Sequence, residues 1–572
     1  MPAYATRKPL TVDEKNNLSS HSDLLAHLLF HRGITDSEAA GRFLAPEYDR
    51  DTHDPFLLKD ADKAAARIIQ AVQSGEKIAV YADYDADGIP GAALFNDLFS
   101  RIGYTNFVVY IPHRHNEGFG LHEGAIDELA ASGVKLLITV DCGISDRAAA
   151  EHAREKGIEV IITDHHEPPG ELPHAVAVID PKQPGCVYPD KNLCGTGVAF
   201  KLIQAILAKN RFGLKDGMEK WLLDLVGIAT LSDMVPLTGE NRVFAHYGMT
   251  VLRKTQRLGL KRLFTKLKIA QAHLTEDDIT FMITPRINAA SRMGVPMDAF
   301  RLLAAQDEAT AKECADHLDE INNERKGVVA ALVKDVKKKV RERHAGIIPS
   351  VIVLGNPEWR PSLLGLAANS CAEEFRRPVF LWGRDGENAL KGSCRSEGTT
   401  NVVELMRAVP AGVFMEFGGH KHSGGFSVES EAVHFLEKHL NDAAGVASAE
   451  SANSAPDMVD AELSLDAITS RLHDDIARLA PFGLGNPKPL FVFRNVKPVS
   501  VRRFGKGNDH VELTFAKGNG YKVSAISFFG VTEEWAATTE AGMNIDLIAS
   551  VEKSMFRGRP ELRLRVVDVV RA

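Results

Sequence analysis

The chain has 572 residues, 44% of them hydrophobic and 25% charged, and carries a formal net charge of −8. That length suits about three or four domains with sizeable cores, which excludes wholesale disorder. The acidic balance excludes an all-over basic nucleic-acid coat, though not a local basic groove.

Residues 1–50 read as short helices with no evident chemistry, either a packing appendage or a partner surface. Strand and helix signals then alternate from 51 to 316. Residues 77–82 predict a strand, followed by Asp83-Tyr84-Asp85-Ala86-Asp87-Gly88 and a helix over 91–102. A second strand covers 107–111 and a helix 121–131. The third strand, 136–140, ends in Asp141-Cys142-Gly143. A helix over 145–156 leads to a β-branched apolar run, 159–163, that ends abruptly in Asp164-His165-His166. A fifth strand, 175–179, ends in Asp180-Pro181. Apolar runs of this kind are strands buried on both faces, and alternation with helices implies a doubly wound parallel sheet. Right-handed crossovers place all the strand ends on one edge, where open α/β sheets bind ligands.

Asp83, Asp85, Asp87, Asp141, Asp164, His165 and His166 therefore converge on one rim. Alternation along an extended segment would put Asp83, Asp85 and Asp87 on the same side. Left unpaired, so many carboxylates repel one another and resist desolvation. Divalent cations resolve this, because hard cations prefer carboxylate oxygens and imidazole suits manganese-like or zinc-like ions. Seven groups exceed one tetrahedral site and favour two metals with a bridging carboxylate. The alternative is a solvated acidic rim of helix-capping aspartates.

Further along, Gly195-Thr196-Gly197 opens a helix and could cradle a phosphate or serve close packing. Asp233 is either one more ligand or a helix end. Arg286 and Arg292 flank a small-residue turn and could grip phosphate, or form surface ion pairs. Residues 317–344 read as one long helix bridging two domains, its basic last turns complementing the helix dipole. From 346 to 442 the pattern becomes strands with Gly/Ser-rich loops, Gly392-Ser393-Cys394-Arg395-Ser396 and Phe417-Gly418-Gly419-His420, whose backbone N–H groups and His420 suit a ligand. An Ala/Ser-rich linker covers 443–456. Residues 457–572 carry short alternating strands that suggest a small barrel. There Arg502, Arg503, Phe504 and Lys506 interleave charge with an aromatic ring, as single-strand platforms do.

Together these segments resemble the DHH phosphoesterase superfamily and, within it, the RecJ-type single-strand-specific exonucleases. The resemblance rests on Asp83–Gly88, Thr139–Gly143, Asp164-His165-His166 and Ser232-Asp233-Met234-Val235-Pro236-Leu237. It continues through Pro285-Arg286-Ile287-Asn288-Ala289, the two glycine-rich segments and Pro481-Phe482-Gly483-Leu484-Gly485-Asn486-Pro487, and it covers almost the whole chain beyond residue 50.

The resemblance implies an α/β DHH domain with a doubly wound parallel sheet (51–316) and a connecting helix (317–345). It also implies a smaller α/β DHH-associated domain (346–442) and an OB-like barrel (457–572). By it Asp83, Asp85, Asp87, Asp141, His165 and Asp233 would hold two Mn²⁺ or Mg²⁺ ions, with Asp141 bridging and His166 facing the scissile phosphate. Arg114, Arg286, Ser393, Arg395 and His420 match positions that handle the DNA backbone or its 5′ end. The implied reaction is two-metal hydrolysis of single-stranded DNA from the 5′ end, releasing 5′-mononucleotides, with no side-chain nucleophile. Implied partners are single-stranded DNA and either a single-strand-binding protein or a helicase, with the enzyme acting as a monomer.

Pro90, Asp180, Ser291 and the run Trp359-Arg360-Pro361-Ser362 depart from the family pattern without removing a proposed ligand. Rival readings are a DHH hydrolase of short oligonucleotides or cyclic dinucleotides, and a non-catalytic replication scaffold. No apolar run is long enough to span a bilayer, and the first residues lack the apolar core of a signal peptide. Six cysteines without a Cys-x-x-Cys pair indicate neither a zinc knuckle nor a disulfide framework, which suits reduced thiols in the cytoplasm.

Overall fold

The alternating signals between residues 77 and 180 form one five-stranded sheet. Its spatial order is Phe107–Tyr110, Ile78–Ala82, Leu136–Val140, Glu159–Thr163, Ala177–Ile179, and every neighbouring pair is parallel. Ile78–Ala82 and Leu136–Val140 are buried along their whole length, as expected where helices cover both faces. From Ile78–Ala82 the chain crosses to Phe107–Tyr110 on one side and then to Leu136–Val140 on the other. The crevice between the ends of Ile78–Ala82 and Leu136–Val140 is thus the topological switch point of the sheet. Asp83 and Asp141 are the first residues beyond those two ends.

The computed structural model describes residues 4–344, 348–385, 389–398, 400–447, 458–554 and 560–571. The chain divides into two compact units. One comprises residues 53–235 and 247–454, the other residues 1–52, 236–246 and 455–572. Among the described residues no helix is long and apolar enough to cross a membrane.

Within the first unit, the helix after the acidic segment starts at Gly88, earlier than the pattern suggested. Pro90 is tolerated because it lies in the first turn, where no backbone N–H is needed for the helix ladder. The long helix runs Glu308–His344, beginning nine residues before the expected 317. Asp307 starts it, its carboxylate accepting from Thr310 N at 2.8 Å, and Ala311, Cys314, Ala315 and Leu318 extend the buried stripe. The supposed small-residue turn at Arg286–Arg292 is instead the helix Thr284–Arg292, with Pro285 in its first turn.

Beyond the long helix lies a second sheet of five strands, ordered Phe414–His420, Ser423–Val428, Leu390–Arg395, Val379–Arg384, Ile352–Gly355. Only its last pair is parallel. Both glycine-rich segments expected as loops are therefore strands. Their glycines make room for neighbours: a Cβ on Gly392 would lie 2.1 Å from the Phe426 ring, and one on Gly419 would lie 2.3 Å from Ser423 O.

In the other unit, Ala461–Glu462, Phe491–Val496, Ile545–Ser554, Glu561–Arg571, Lys522–Ser527, His510–Ala516 and Pro498–Phe504 form a seven-stranded sheet in that order. The N-terminal helices are packing elements of this unit: Leu25, Leu28 and Leu29 share one core with Phe491, Phe493 and Phe515. The strand Ala5–Thr6 pairs in parallel with Met458–Val459. Of the expected linker 443–456, residues 443–447 end the helix Leu436–Ala447, and the rest lies outside the described residues.

Candidate metal centre

Three acids leave the first strand through a turn, not through an extended segment. Asp85 Oδ1 accepts from Asp87 N at 2.7 Å and from Gly88 N at 3.3 Å, which folds the chain back into the helix. Gly88 packs so close that a Cβ would sit 2.4 Å from Asp83 O. The expectation that pleat alternation aligns Asp83, Asp85 and Asp87 is corrected accordingly. Asp83 and Asp85 share a group with Asp141, whereas Asp87 faces His165 and Asp233. Asn288 Oδ1 accepts from Ala86 N at 2.8 Å and pins the turn from the helix Thr284–Arg292. Nothing local to Asn288 announces that role.

Asp87 is held by the helix Gly195–Lys209. Gly195 N donates to its Oδ2 at 2.6 Å and Thr196 N to its Oδ1 at 2.7 Å. The helix N-terminus therefore cradles a carboxylate of the protein and not a phosphate. Gly195 also admits Asp141: a Cβ there would meet Asp141 Cβ at 2.5 Å. Asp141 itself adopts φ 61°, in the left-handed region that an acid seldom occupies.

The Asp164-His165-His166 triplet divides its labour. Asp164 is buried and receives Ile144 N at 2.9 Å, His165 N at 2.7 Å and His166 Nδ1 at 2.7 Å. It orients its neighbours and belongs to none of the candidate metal groups. His165 Nε2 lies 3.1 Å from Asp141 Oδ1, 3.7 Å from Asp233 Oδ2 and 3.8 Å from Asp87 Oδ2. Asp233 follows the helix Leu223–Ser232 and so enters the site from a third direction.

Potential ligand atoms fall into three overlapping groups, each within 4.8 Å: Asp83-Asp85-Asp141, Asp87-His165-Asp233 and Asp141-His165-His166. Asp141 joins the two sides. Burial and mutual repulsion raise Asp83 and Asp141 well above the usual carboxylate range. The same causes push Asp87 to about 6 and Asp233 to about 9. Burial, then the neighbouring His166, lowers His165 to about 4. His166 rises to about 9: burial opposes its charge, but the hydrogen bond and charge of Asp164 outweigh it. Asp83 Oδ1 and Asp141 Oδ1 are buried without a hydrogen-bond partner among the described residues. Oxygen-rich donors, a neutral imidazole and orphaned buried carboxylate oxygens fit hard divalent cations.

Cations of the protein gather beside this cage. Arg292 is half-buried, donates to Ser362 O at 2.6 Å, and is depressed to about 9 by desolvation and then by Arg114, Arg325 and Arg395. Arg114 stacks 4.8 Å over the Tyr84 ring, and Arg395 Nη1 donates to Cys394 O at 2.7 Å. Arg325 is a member that the sequence reading missed. Arg286 stands apart in role: its Nη2 and Nε reach Asp319 Oδ1 at 2.7 and 3.0 Å, binding its helix to the long helix. Ser393 is half-buried opposite Gly425, and His420 is exposed at the tip of the Phe414–His420 hairpin. In the other unit Arg502 is paired with Glu512 at 2.5 Å, while Arg503 is exposed.

A parallel sheet presenting this acid and imidazole cage at its switch point, joined by a long helix to a mixed-sheet lobe, defines a DHH-type phosphoesterase. Residues 77–230 match the DHH family, N-terminal domain, residues 347–445 the DHHA1 domain and residues 459–568 the RecJ OB domain. The single-stranded-DNA-specific exonuclease RecJ of Bacillus subtilis (strain 168) is 34% identical over 95% of this chain and 67% of its own. That of Haemophilus influenzae is 31% identical over 96% of both. The crystal structure of RecJ from Thermus thermophilus in complex with Mn²⁺ matches with a TM-score of 0.79 at 26% identity, over 98% of this chain and 77% of that one. The chain belongs to the RecJ family of single-stranded-DNA-specific exonucleases.

Proposed function

We propose that the protein is a metal-dependent exodeoxyribonuclease that degrades single-stranded DNA from its 5′ end to 5′-mononucleotides, in DNA recombination and repair. The observation that carries this reading is Asp141, held at φ 61° between an aspartate pair and an Asp-His-Asp trio, with a buried oxygen that has no hydrogen-bond donor among the described residues. Asp83, Asp85, Asp87, Asp141, His165 and Asp233 would hold two Mn²⁺ or Mg²⁺ ions, Asp141 contributing to both. When bound, such a pair supplies Lewis acidity at a phosphodiester and a lowered pKa for the attacking water.

The remaining work falls to this chain's own groups. Asp164 keeps His166 protonated, so Nε2–H is offered as a cationic donor to a phosphate oxygen. Neutral His165 is free to act as a ligand. Arg114, Arg292 and Arg395 concentrate positive charge where a backbone phosphate is to be oriented. Ser393, His420 and Arg503 are proposed as contacts further along the strand. Arg286 and Arg502, each already paired with a carboxylate, are proposed as positioning residues.

Monomeric action is supported by the cage being complete within one chain. All six cysteines are free and five are buried, which supports a reducing, cytoplasmic setting. Recruitment by a single-strand-binding protein or a helicase belongs to the same proposal. The test digests labelled single strands and duplexes with Mn²⁺, using wild type and Asp141→Ala. Stepwise 5′-end loss by the wild type alone, on single strands alone, is expected. Equal degradation by both proteins would refute the reading.

A further inference from the structure

One face of the long helix is lined with cations, of which only Arg325 belongs to the cluster beside the metal centre. A groove of about 840 Å³ runs along residues 325–342 and is also lined by Ser370 of the helix Pro361–Phe375. Val329 and Val333 form its floor. Lys326, Lys334 and Arg341 are exposed on its rim and have no carboxylate partner among the described residues. Lys337 and Lys338 also line it, paired with Glu374 and Glu342. Six cations thus line it with one acid, Glu342, while Glu374 reaches Lys337 from beside it, in a chain where acids outnumber basic residues 76 to 68. Spacings of three and four residues put these side chains on one stripe. Complementing the helix dipole explains only the last turn, near Arg341 and Arg343, and Lys326 and Lys334 lie well before it.

The groove is continuous with the arginine cluster. Arg325 lines the head of the groove and also belongs to that cluster: after burial, Arg114 and then Arg325 lower Arg292, and after burial, Arg286 and then Arg325 lower Lys326. From Arg325 to Arg341 the stripe extends about 24 Å at 1.5 Å per helical residue. Cations spaced along an aliphatic floor suit a flexible polyanion whose phosphates meet the rim while sugars and bases rest on valine methyl groups.

We propose that this face of the long helix is a second nucleic-acid track, which grips the single strand's backbone beyond the nucleotides held at the metal centre. The proposal rests on the nuclease reading above. An acidic, apolar peptide of a partner protein is the competing occupant, less favoured because it gives no reason for the track to begin at the arginine cluster.

The test uses full-length protein, wild type and Lys334→Ser/Arg341→Ser, with Ca²⁺ in place of Mn²⁺. Fluorescence anisotropy with 4-mer and 20-mer oligothymidylates is measured across a salt series. For the 20-mer the double variant is expected to bind roughly tenfold more weakly, with a log–log salt slope shallower by about 1.4, two contacts at about 0.7 each. The 4-mer is expected to show a much smaller difference, and Lys334→Arg should retain the 20-mer affinity. Equal salt slopes and affinities for the 20-mer would overturn the track, as would an equal loss on both lengths. So would 20-mer binding that is unchanged while the variant loses affinity for a glutamate-rich peptide. Wild-type binding and digestion of the 20-mer are scored separately, so failure of the nuclease reading is distinguishable from failure of the track.

Discussion

Asp164 Oδ1 and His166 Nδ1 lie 2.7 Å apart, and this contact raises His166 above the adjacent His165. The rings of His165 and His166 are 4.6 Å apart at their centroids. One is raised to about 9 and the other lowered to about 4. Against burial, the hydrogen bond and charge of Asp164 raise His166, whereas burial and then the neighbouring His166 lower His165, so a cation stands beside a neutral imidazole.

Asp164→Asn keeps the shape and removes the charge. Burial would then dominate at His166 and favour its neutral form. The alkaline limb of kcat/KM, expected near pH 9 in the wild type, should move down toward or below neutrality. The matching stability term has a defined sign. His166 is raised above its unfolded value, so its contribution is complete below about 6.5 and is lost as pH rises toward about 9. pH–rate profiles and melting curves of both proteins check this. An unshifted alkaline limb would separate His166 from the chemistry.

Removing divalent cations should make the protein less stable as pH rises. In the cation-free cage, Asp83, Asp87, Asp141 and Asp233 are all raised. The folded state therefore binds more protons than the unfolded one, and stability falls as pH climbs from the ordinary carboxylate range through about 6 and about 9. Adding Mn²⁺ should release those protons, so affinity should increase with pH. Calorimetry in two buffers of different ionisation enthalpy measures the release. Chelated protein should show a lower Tm at about pH 8 than at about pH 5.5, and Mn²⁺ should narrow that gap.

Which parts were legible in the sequence follows from how local each signal is. Asp141 and His165 end apolar β-branched runs, and a run buried on both faces places its terminal residues on the ligand edge whatever else the chain does. The grouping of Asp87 with Asp233 depends on the approach of two helices, Gly195–Lys209 and Leu223–Ser232, which no short pattern encodes. Asn288 reaches Ala86 across 202 residues, and Arg286 finds Asp319 on another helix. Gly392 and Gly419 misled for a related reason. Glycine signals a loop locally, but here the missing Cβ is filled by Phe426 and by the opposing strand.

Arg286 should prove to be a fold residue more than a DNA contact. Its side chain is 9% exposed and that of Asp319 17%. Deleting one partner of such a pair strands the other charge at a cost of about 3–5 kcal/mol. Arg286→Ala and Asp319→Ala should therefore lower Tm comparably, and the double variant should lose much less than their sum. Additive losses in that cycle would mean that Arg286 carries its weight elsewhere.

Gly195→Ala sets two effects against each other. At a helix position without positive φ, replacing glycine by alanine ordinarily stabilises by about 0.5–1 kcal/mol. Here the new methyl would meet Asp141 Cβ at 2.5 Å and Oδ1 at 2.6 Å, and both sides are backbone-anchored. Asp141 sits at φ 61° on a short strand end and cannot retreat without leaving His165. The clash is therefore expected to win at the cage while the helix itself persists. Mn²⁺ affinity should fall roughly 10- to 100-fold, the range for disturbed support of a metal ligand, with the circular dichroism spectrum unchanged. Gly197→Ala, two residues along the same helix start, is the comparison. If both variants bind Mn²⁺ like the wild type, the close approach of Gly195 to Asp141 does not govern the site.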